Sequence, residues 1–179
     1  MSRLIAVERP SDIPSPLRGT PTGRLLEFHN LERGLAVYER AEILIGMCMD
    51  NRKQLRLPDQ FAYILRAGGA NLLPSEFKVS YAVAVGGIRW LALIGHTNCG
   101  MSNLSSRREA FVRGLVDAGW EPAEAAEHFD RFAPEFEIGD PVEFVSHESA
   151  RLAKRYPAVS VTPMIYRVED GRLYLVRRD

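Results

Sequence analysis

The stretch Trp90-Leu91-Ala92-Leu93-Ile94-Gly95-His96-Thr97-Asn98-Cys99-Gly100 decides how this chain is read. Its first five residues form a short apolar run, the pattern of a strand buried on both faces. It passes directly into polar residues that can carry chemistry. The same design stands at Ala41-Glu42-Ile43-Leu44-Ile45-Gly46-Met47, which leads straight into Cys48-Met49-Asp50-Asn51-Arg52. Phe61 to Leu65 is a further short run, closed by Gly68-Gly69. Between these runs, Pro74 to Val85 reads as a helix, with Pro74 or Ser75 near its start and Gly86-Gly87 past its end.

Outward from this centre, Arg107–Ala118, Pro122–Phe132 and Val142–Tyr156 are amphipathic and predicted helical, the last ended by Pro157. Val159–Val168 and Leu173–Val176 are β-like, and Asp170-Gly171 between them signals a hairpin. Upstream, Leu31, Leu35 and Tyr38 recur at helical spacing and predict a short helix within Leu25–Glu39. Pro10, Pro14, Pro16 and Pro21 forbid a long helix or central strand before residue 22. Residues 1–23 are therefore expected to form a Pro-rich arm that lies on another surface or is partly disordered, and residues 24–179 a single catalytic domain. Strands alternating with helices predict an α/β fold: a mostly parallel central sheet flanked by helices, with an antiparallel C-terminal edge hairpin. In such sheets ligands collect at the C-terminal ends of the strands, where both cysteine motifs fall.

The bulk properties agree with one soluble domain. The chain has 179 residues, 46% of them hydrophobic and 26% charged, which suffices for a core without disulfide staples. Lys+Arg 23 against Asp+Glu 23 leaves no net charge, so nothing general draws the surface to nucleic acid or anionic lipid. No apolar run approaches the roughly 18 residues needed to cross a bilayer. Met1 to Thr20 lacks a continuous apolar segment, so no secretory signal is expected and a cytoplasmic protein is, free or enclosed in a protein-shelled compartment. In that setting the two cysteines are expected as free thiols, metal ligands or a redox pair.

Cys48 and His96-x-x-Cys99 supply two thiolates and one imidazole, a soft set suited to zinc. Three protein ligands leave a fourth position for water, the catalytic pattern rather than the closed structural one. The two thiolates cancel the charge of the ion, so bound water needs help from a neighbouring hydrogen bond. Asp50, two residues from a ligand, is placed to accept it or to take the fourth position itself. Arg52 can hold the Asp50 carboxylate in one orientation and keep it ionised. Close backbone approach to substrate is expected at Gly68, Gly69 and Gly100. His29, His128 and His147 lie outside this constellation, His128 and His147 being expected on exposed helical faces, and Met47, Met49 and Met101 are expected to pack.

Together, Cys48-Met49-Asp50-Asn51-Arg52, Ala67-Gly68-Gly69 and Gly95-His96-Thr97-Asn98-Cys99-Gly100-Met101 resemble the β-class carbonic anhydrases in order, spacing and strand context over about residues 40 to 105. The resemblance implies zinc on Cys48, His96 and Cys99, and an Asp50–Arg52 dyad that orients zinc-bound hydroxide for reversible hydration of carbon dioxide to bicarbonate. It implies a homodimer or an assembly of dimers, with the N-terminal arm wrapping a partner, and a closed state in which Asp50 is the fourth zinc ligand. Phe61, Tyr63 and Tyr81 are candidates for apolar walls. Where many members carry Arg-Asn before the Ala-Gly pair, this chain reads Leu65-Arg66, which bears on the polarity of the substrate channel. Relatives on this scaffold hydrolyse carbon disulfide or carbonyl sulfide, and that reaction stands as an alternative. A noncatalytic zinc-binding scaffold and a Cys48–Cys99 redox pair are the other two.

Overall fold

The computed structural model describes residues 3–177. Six strands and five helices follow the order β1 (Leu4–Ile5), α1 (Pro21–His29), β2 (Ile43–Met47), β3 (Ala62–Arg66), α2 (Glu76–Ala84), β4 (Trp90–His96), α3 (Arg108–Asp117), α4 (Pro122–Phe136), α5 (Pro141–Arg155), β5 (Ser160–Arg167) and β6 (Arg172–Val176). The strands form one sheet in the order β1-β6-β5-β4-β2-β3. β3, β2, β4 and β5 are parallel neighbours; β6 and then β1 add antiparallel. The mostly parallel sheet with its antiparallel end is the α/β architecture read from the sequence, with one addition. β1 extends the sheet past the β5–β6 hairpin, so the hairpin is not its outermost edge.

The apolar runs are continuous because alternate residues feed two cores. Ile43, Ile45 and Met47 of β2, Ala92 and Ile94 of β4, and Met164 of β5 face α1, where Leu25, Leu26 and Phe28 cover them. Leu44, Leu91, Leu93, Val161 and Ile165 face the other way, toward α2 and α5 through Val79, Ala82, Val145 and Leu152. Gly95 permits this closeness: a Cβ there would lie 2.8 Å from Val145 Cγ1.

One expectation for the N-terminal region needs correction. The helix begins at Pro21 and ends at His29, not within 25–39, because Thr20 caps it: Gly23 N–H donates to Thr20 Oγ1 at 3.2 Å and Pro21 sits at the first position. Leu35, expected on its apolar face, is exposed instead. The described part of the Pro-rich segment packs on the chain's own sheet. Leu4–Ile5 pair with β6, and Val7 and Ile13 are buried in the first core. Its prolines are accommodated in short 3-10 turns at Pro10–Asp12 and Ser15–Leu17, which need no long helix. The boundary expected at residue 23 falls inside α1. Among the described residues, no helix is long and apolar enough to cross a membrane.

Candidate metal centre

Register builds the site. β2 and β4 run parallel with Met47 opposite Ile94, so Cys48, just past β2, comes beside the last two residues of β4, Gly95 and His96. Cys99 follows on a tight turn. Asn98 takes φ 55°, a left-handed conformation that Asn tolerates better than most residues. Glu169, beyond β5, accepts from Thr97 Oγ1 at 2.7 Å and from Asn98 Nδ2 at 2.8 Å and anchors that turn. The backbone therefore brings Cys48, His96 and Cys99 together, with Sγ, imidazole nitrogen and Sγ all within 4.8 Å of one another, and all three residues buried.

This donor set fits a metal ion. His96 Nδ1–H donates to the Thr97 carbonyl at 2.8 Å, which leaves a lone pair on Nε2. Nε2 is buried and has no hydrogen-bond partner among the described residues. An orphaned buried acceptor is costly unless something binds it. The two sulfurs are electrostatically a pair. The bond shared with Cys99 outweighs burial and pulls the Cys48 thiol down. The bond to Cys48, then burial, pushes the Cys99 thiol up. Gly69 N–H points at Cys48 Sγ from 3.3 Å, a donor suited to a thiolate. Such a centre can hold a thiophilic cation such as zinc on two sulfurs and one nitrogen.

Asp50 and Arg52 lie beside it as a fork. Arg52 Nε reaches Asp50 Oδ1 at 3.0 Å and Oδ2 at 3.2 Å; Nη2 reaches Oδ2 at 2.6 Å and the Asn98 carbonyl at 2.9 Å. The Arg52 N–H adds a bond to Oδ1 at 2.9 Å. The guanidinium holds the Asp50 carboxyl well below the usual carboxylate range. Asp50 Oδ2 stands 3.9 Å from His96 Nε2.

The glycines divide. Gly69, with φ +63°, packs its α-carbon under Ile138: a Cβ there would lie 2.5 Å from Ile138 Cγ2. A Cβ on Gly68 would lie 3.3 Å from the Met101 thioether. Gly100 has nothing within 4 Å of its Cβ position, so no close approach demands a glycine there. Two cavities draw lining residues from these loops. One, of about 630 Å³, is lined by His96, Thr97, Asn98, Cys99, Arg107 and Glu169 among others. The other, of about 490 Å³, is lined by Met49, Gly68, Met101, Leu104, His128, Ala133 and four phenylalanines, Phe111, Phe129, Phe132 and Phe136.

Other expected positions come out differently. Phe61 is fully buried in the α1-side core, edge-on to Phe28 at 5.4 Å, and lines neither cavity, because it precedes β3 and faces inward. Tyr63 and Tyr81 are exposed on β3 and α2. Met47 and Met101 pack as expected, but Met49 is exposed at the mouth of the apolar cavity. His29 is structural: its Nε2–H donates to the Gly171 carbonyl at 2.9 Å and its Nδ1 accepts from Arg56 N–H at 3.1 Å. His147 is exposed on α5, as expected. His128, half-buried, lies among Phe111, Trp120 and Phe132 rather than in open solvent. Arg66 was read only as a departure in the loop. It reaches the carbonyls of Cys48 at 3.2 Å, Asp50 at 3.4 Å and Lys53 at 3.3 Å, and so ties down the loop that carries three of the candidate residues, Cys48, Asp50 and Arg52. Its place at the end of β3, parallel to β2, could have suggested this.

No family model and no curated protein matches the sequence. The fold, however, is shared with solved structures. A carbonic anhydrase from Glaciozyma antarctica is 24% identical with a TM-score of 0.59, covering 76% of this chain and 83% of its own. A carbonic anhydrase from Streptococcus mutans is 22% identical with a TM-score of 0.58, over 82% of this chain and 89% of its own. A carbon disulfide hydrolase, solved in its apo form, is 18% identical with a TM-score of 0.58, over 80% of this chain and 82% of its own. The chain has the fold of the β-carbonic anhydrases.

Proposed function

We propose that the chain is a zinc-dependent carbonic anhydrase that interconverts carbon dioxide and bicarbonate at Cys48, His96, Cys99, Asp50 and Arg52. The observation that carries this reading is the Asp50 carboxylate, pinned by Arg52, with Oδ2 3.9 Å from the unbonded Nε2 of His96. A purely structural metal site has no use for a restrained carboxylate at its open side. The thiol-rich donor set supports zinc, and the fold neighbours named above support the reaction class.

Cys48, His96 and Cys99 would hold the ion, and zinc when bound supplies a Lewis acid that lets water ionise near neutral pH. The residues of the chain do the rest. Asp50, kept ionised by Arg52, can only accept a hydrogen bond, so it fixes the O–H of the attacking oxygen and turns a lone pair toward the carbon. Arg52 cannot follow Asp50 in any rotation without also losing the Asn98 carbonyl, so the orientation is held from two sides. Gly69 N–H keeps Cys48 Sγ in place. Attack on carbon forms the new C–O bond of bicarbonate as one C=O π pair moves onto oxygen, and the proton given up by the attacking water leaves to buffer. Gly68 lines the apolar cavity, and Gly68, Gly69 and Gly100 are proposed to face substrate.

The apolar cavity beside the cluster favours a small neutral electrophile, and it gives a second reading, hydrolysis of carbon disulfide or carbonyl sulfide, its specific support. We also propose that the protein works as a homodimer or an assembly of dimers. Phe77 and Tyr81 of α2 and Val85 at its C-terminal cap recur at helical spacing, all exposed, and Tyr63 and Ile64 of the edge strand β3 are exposed too. The test is stopped-flow hydration of carbon dioxide, with carbon disulfide run in parallel, on protein of measured metal content. Asp50→Asn is expected to keep one zinc per chain and to lose on the order of a hundredfold or more in turnover. Wild-type activity in that variant, or zinc-loaded wild type with no activity on either substrate, would overturn the reading.

A further inference from the structure

Two successive carbonyls of the turn between His96 and Cys99 hold two different parts of the centre. The Thr97 carbonyl accepts from His96 Nδ1–H at 2.8 Å, which leaves Nε2 as the nitrogen free for an ion. The Asn98 carbonyl accepts from Arg52 Nη2 at 2.9 Å, the same nitrogen that grips Asp50 Oδ2. Asn98 itself takes φ 55°, a conformation that persists only where surrounding contacts hold it. The carboxylate of Glu169 supplies those contacts with one oxygen for each residue: Oε2 accepts from Thr97 Oγ1 at 2.7 Å and Oε1 from Asn98 Nδ2 at 2.8 Å. Glu169 also lines the cavity that His96, Thr97, Asn98 and Cys99 line. It is exposed, so burial does not account for its place.

We propose that Glu169 is a positioning residue for the centre: it clamps Thr97 and Asn98, and through their carbonyls fixes both the tautomer and ring orientation of His96 and the hold of Arg52 on Asp50. Neither of its two bonds goes to Cys48, His96, Cys99, Asp50 or Arg52, so it acts through the turn alone. The proposal rests on the reading that Cys48, His96 and Cys99 hold a divalent ion. A group that orients a ligating imidazole from outside the ligand set is worth about 10–100-fold in metal affinity or activity. Removing Glu169 loosens the turn without detaching it. Thr97 N–H still donates to the Tyr166 carbonyl at 3.2 Å, and Val168 N–H to Thr97 Oγ1 at 3.0 Å.

The test compares wild type, Glu169→Ala and Glu169→Gln, with Glu76→Gln as a control that removes an acceptor from Arg151 and Arg155 instead. In metal-free protein with 15N-labelled histidine, at a pH alkaline enough for neutral imidazole, the ring nitrogen shifts report the tautomer of His96. Wild type is expected to carry the proton on Nδ1, and Glu169→Ala a mixture of the two tautomers. Zinc affinity, read by chelator competition, is expected to fall about tenfold in Glu169→Ala, and turnover of the zinc-saturated variant to fall about tenfold as well. Glu169→Gln keeps one acceptor oxygen at the same reach and is expected to lie between wild type and Glu169→Ala in each measurement. Glu76→Gln is expected to match wild type in tautomer and zinc affinity. Wild-type tautomer and zinc affinity in Glu169→Ala would overturn the clamp, and so would equal losses in Glu76→Gln, which would make the effect one of stability alone. Wild type that takes up no zinc would overturn the metal reading instead, while the tautomer of the metal-free protein still decides the role of Glu169. Failure of both Glu169 variants to fold would make it a structural residue and end the proposal.

Discussion

Gly69→Ala puts the cradle around Cys48 to a quantitative test. The position combines φ +63° with a side chain already filling the space a Cβ would need, Ile138 Cγ2 at 2.5 Å. An L-residue in the left-handed region costs about 1–2 kcal/mol. Forcing a methyl into a packed neighbour costs about 1–3 kcal/mol more, because Cγ2 hangs directly on the Ile138 Cβ and cannot swing clear without a rotamer change. The sum, about 2–5 kcal/mol, is a large share of the roughly 5–15 kcal/mol that holds a typical domain together. With a urea m-value of about 1–3 kcal/mol/M, the unfolding midpoint falls by about 1 M or more. The same shift moves Gly69 N–H off Cys48 Sγ, so zinc affinity measured by chelator competition falls with it. Gly100→Ala is the control: its Cβ meets nothing within 4 Å and its φ is not left-handed, so its midpoint stays within about 0.5 kcal/mol of wild type. Equal midpoints for Gly69→Ala and Gly100→Ala would refute the argument.

Cys99→Ser removes a thiolate from the cluster and is expected to abolish stoichiometric zinc, read by elemental analysis after dialysis. Phe77→Glu with Tyr81→Glu places charge on the exposed face of α2; sedimentation is expected to show a smaller species with unchanged zinc content, and an unaltered assembly would remove α2 from the interface. Glu76 accepts from Arg151 and Arg155, which hold its pKa below the ordinary 4.5. A depressed carboxylate stabilises the fold above its unfolded pKa and loses that contribution as pH falls through the folded value. Glu76→Gln is therefore expected to flatten the fall of melting temperature below about pH 4.5 while being less stable than wild type at neutral pH. A parallel offset at every pH would show that the pair contributes nothing electrostatic.

The parts of the fold that were legible in the sequence are those where burial is two-sided. Ile43–Met47 and Trp90–Ile94 admit no other neat reading, and once they are parallel neighbours, the meeting of Cys48 with His96 and Cys99 follows from register. The N-terminal region misled because its helix is set by a cap, Thr20 with Pro21, rather than by the apolar spacing of Leu31, Leu35 and Tyr38. Its prolines forbid long elements but not the packing of Val7 and Ile13 between them. At the site, Arg66 and Glu169 act through backbone carbonyls and turn side chains 13 to 72 residues distant, a kind of contact that leaves no local pattern. Lys53 is the extreme case: on sequence it is one more charge in a polar loop, and only tertiary packing makes it a buried one.

The two sulfurs of the cluster belong to segments fifty-one positions apart, on either side of β3 and α2. An ion gripping both is thus a removable cross-link that closes a long stretch of chain, comparable in its effect on the unfolded ensemble to a covalent bridge. Chelation would then do more than silence a reaction. It would release a loop containing the edge strand and the α2 face to proteases, so that metal supply sets how long each molecule survives as well as how fast it works.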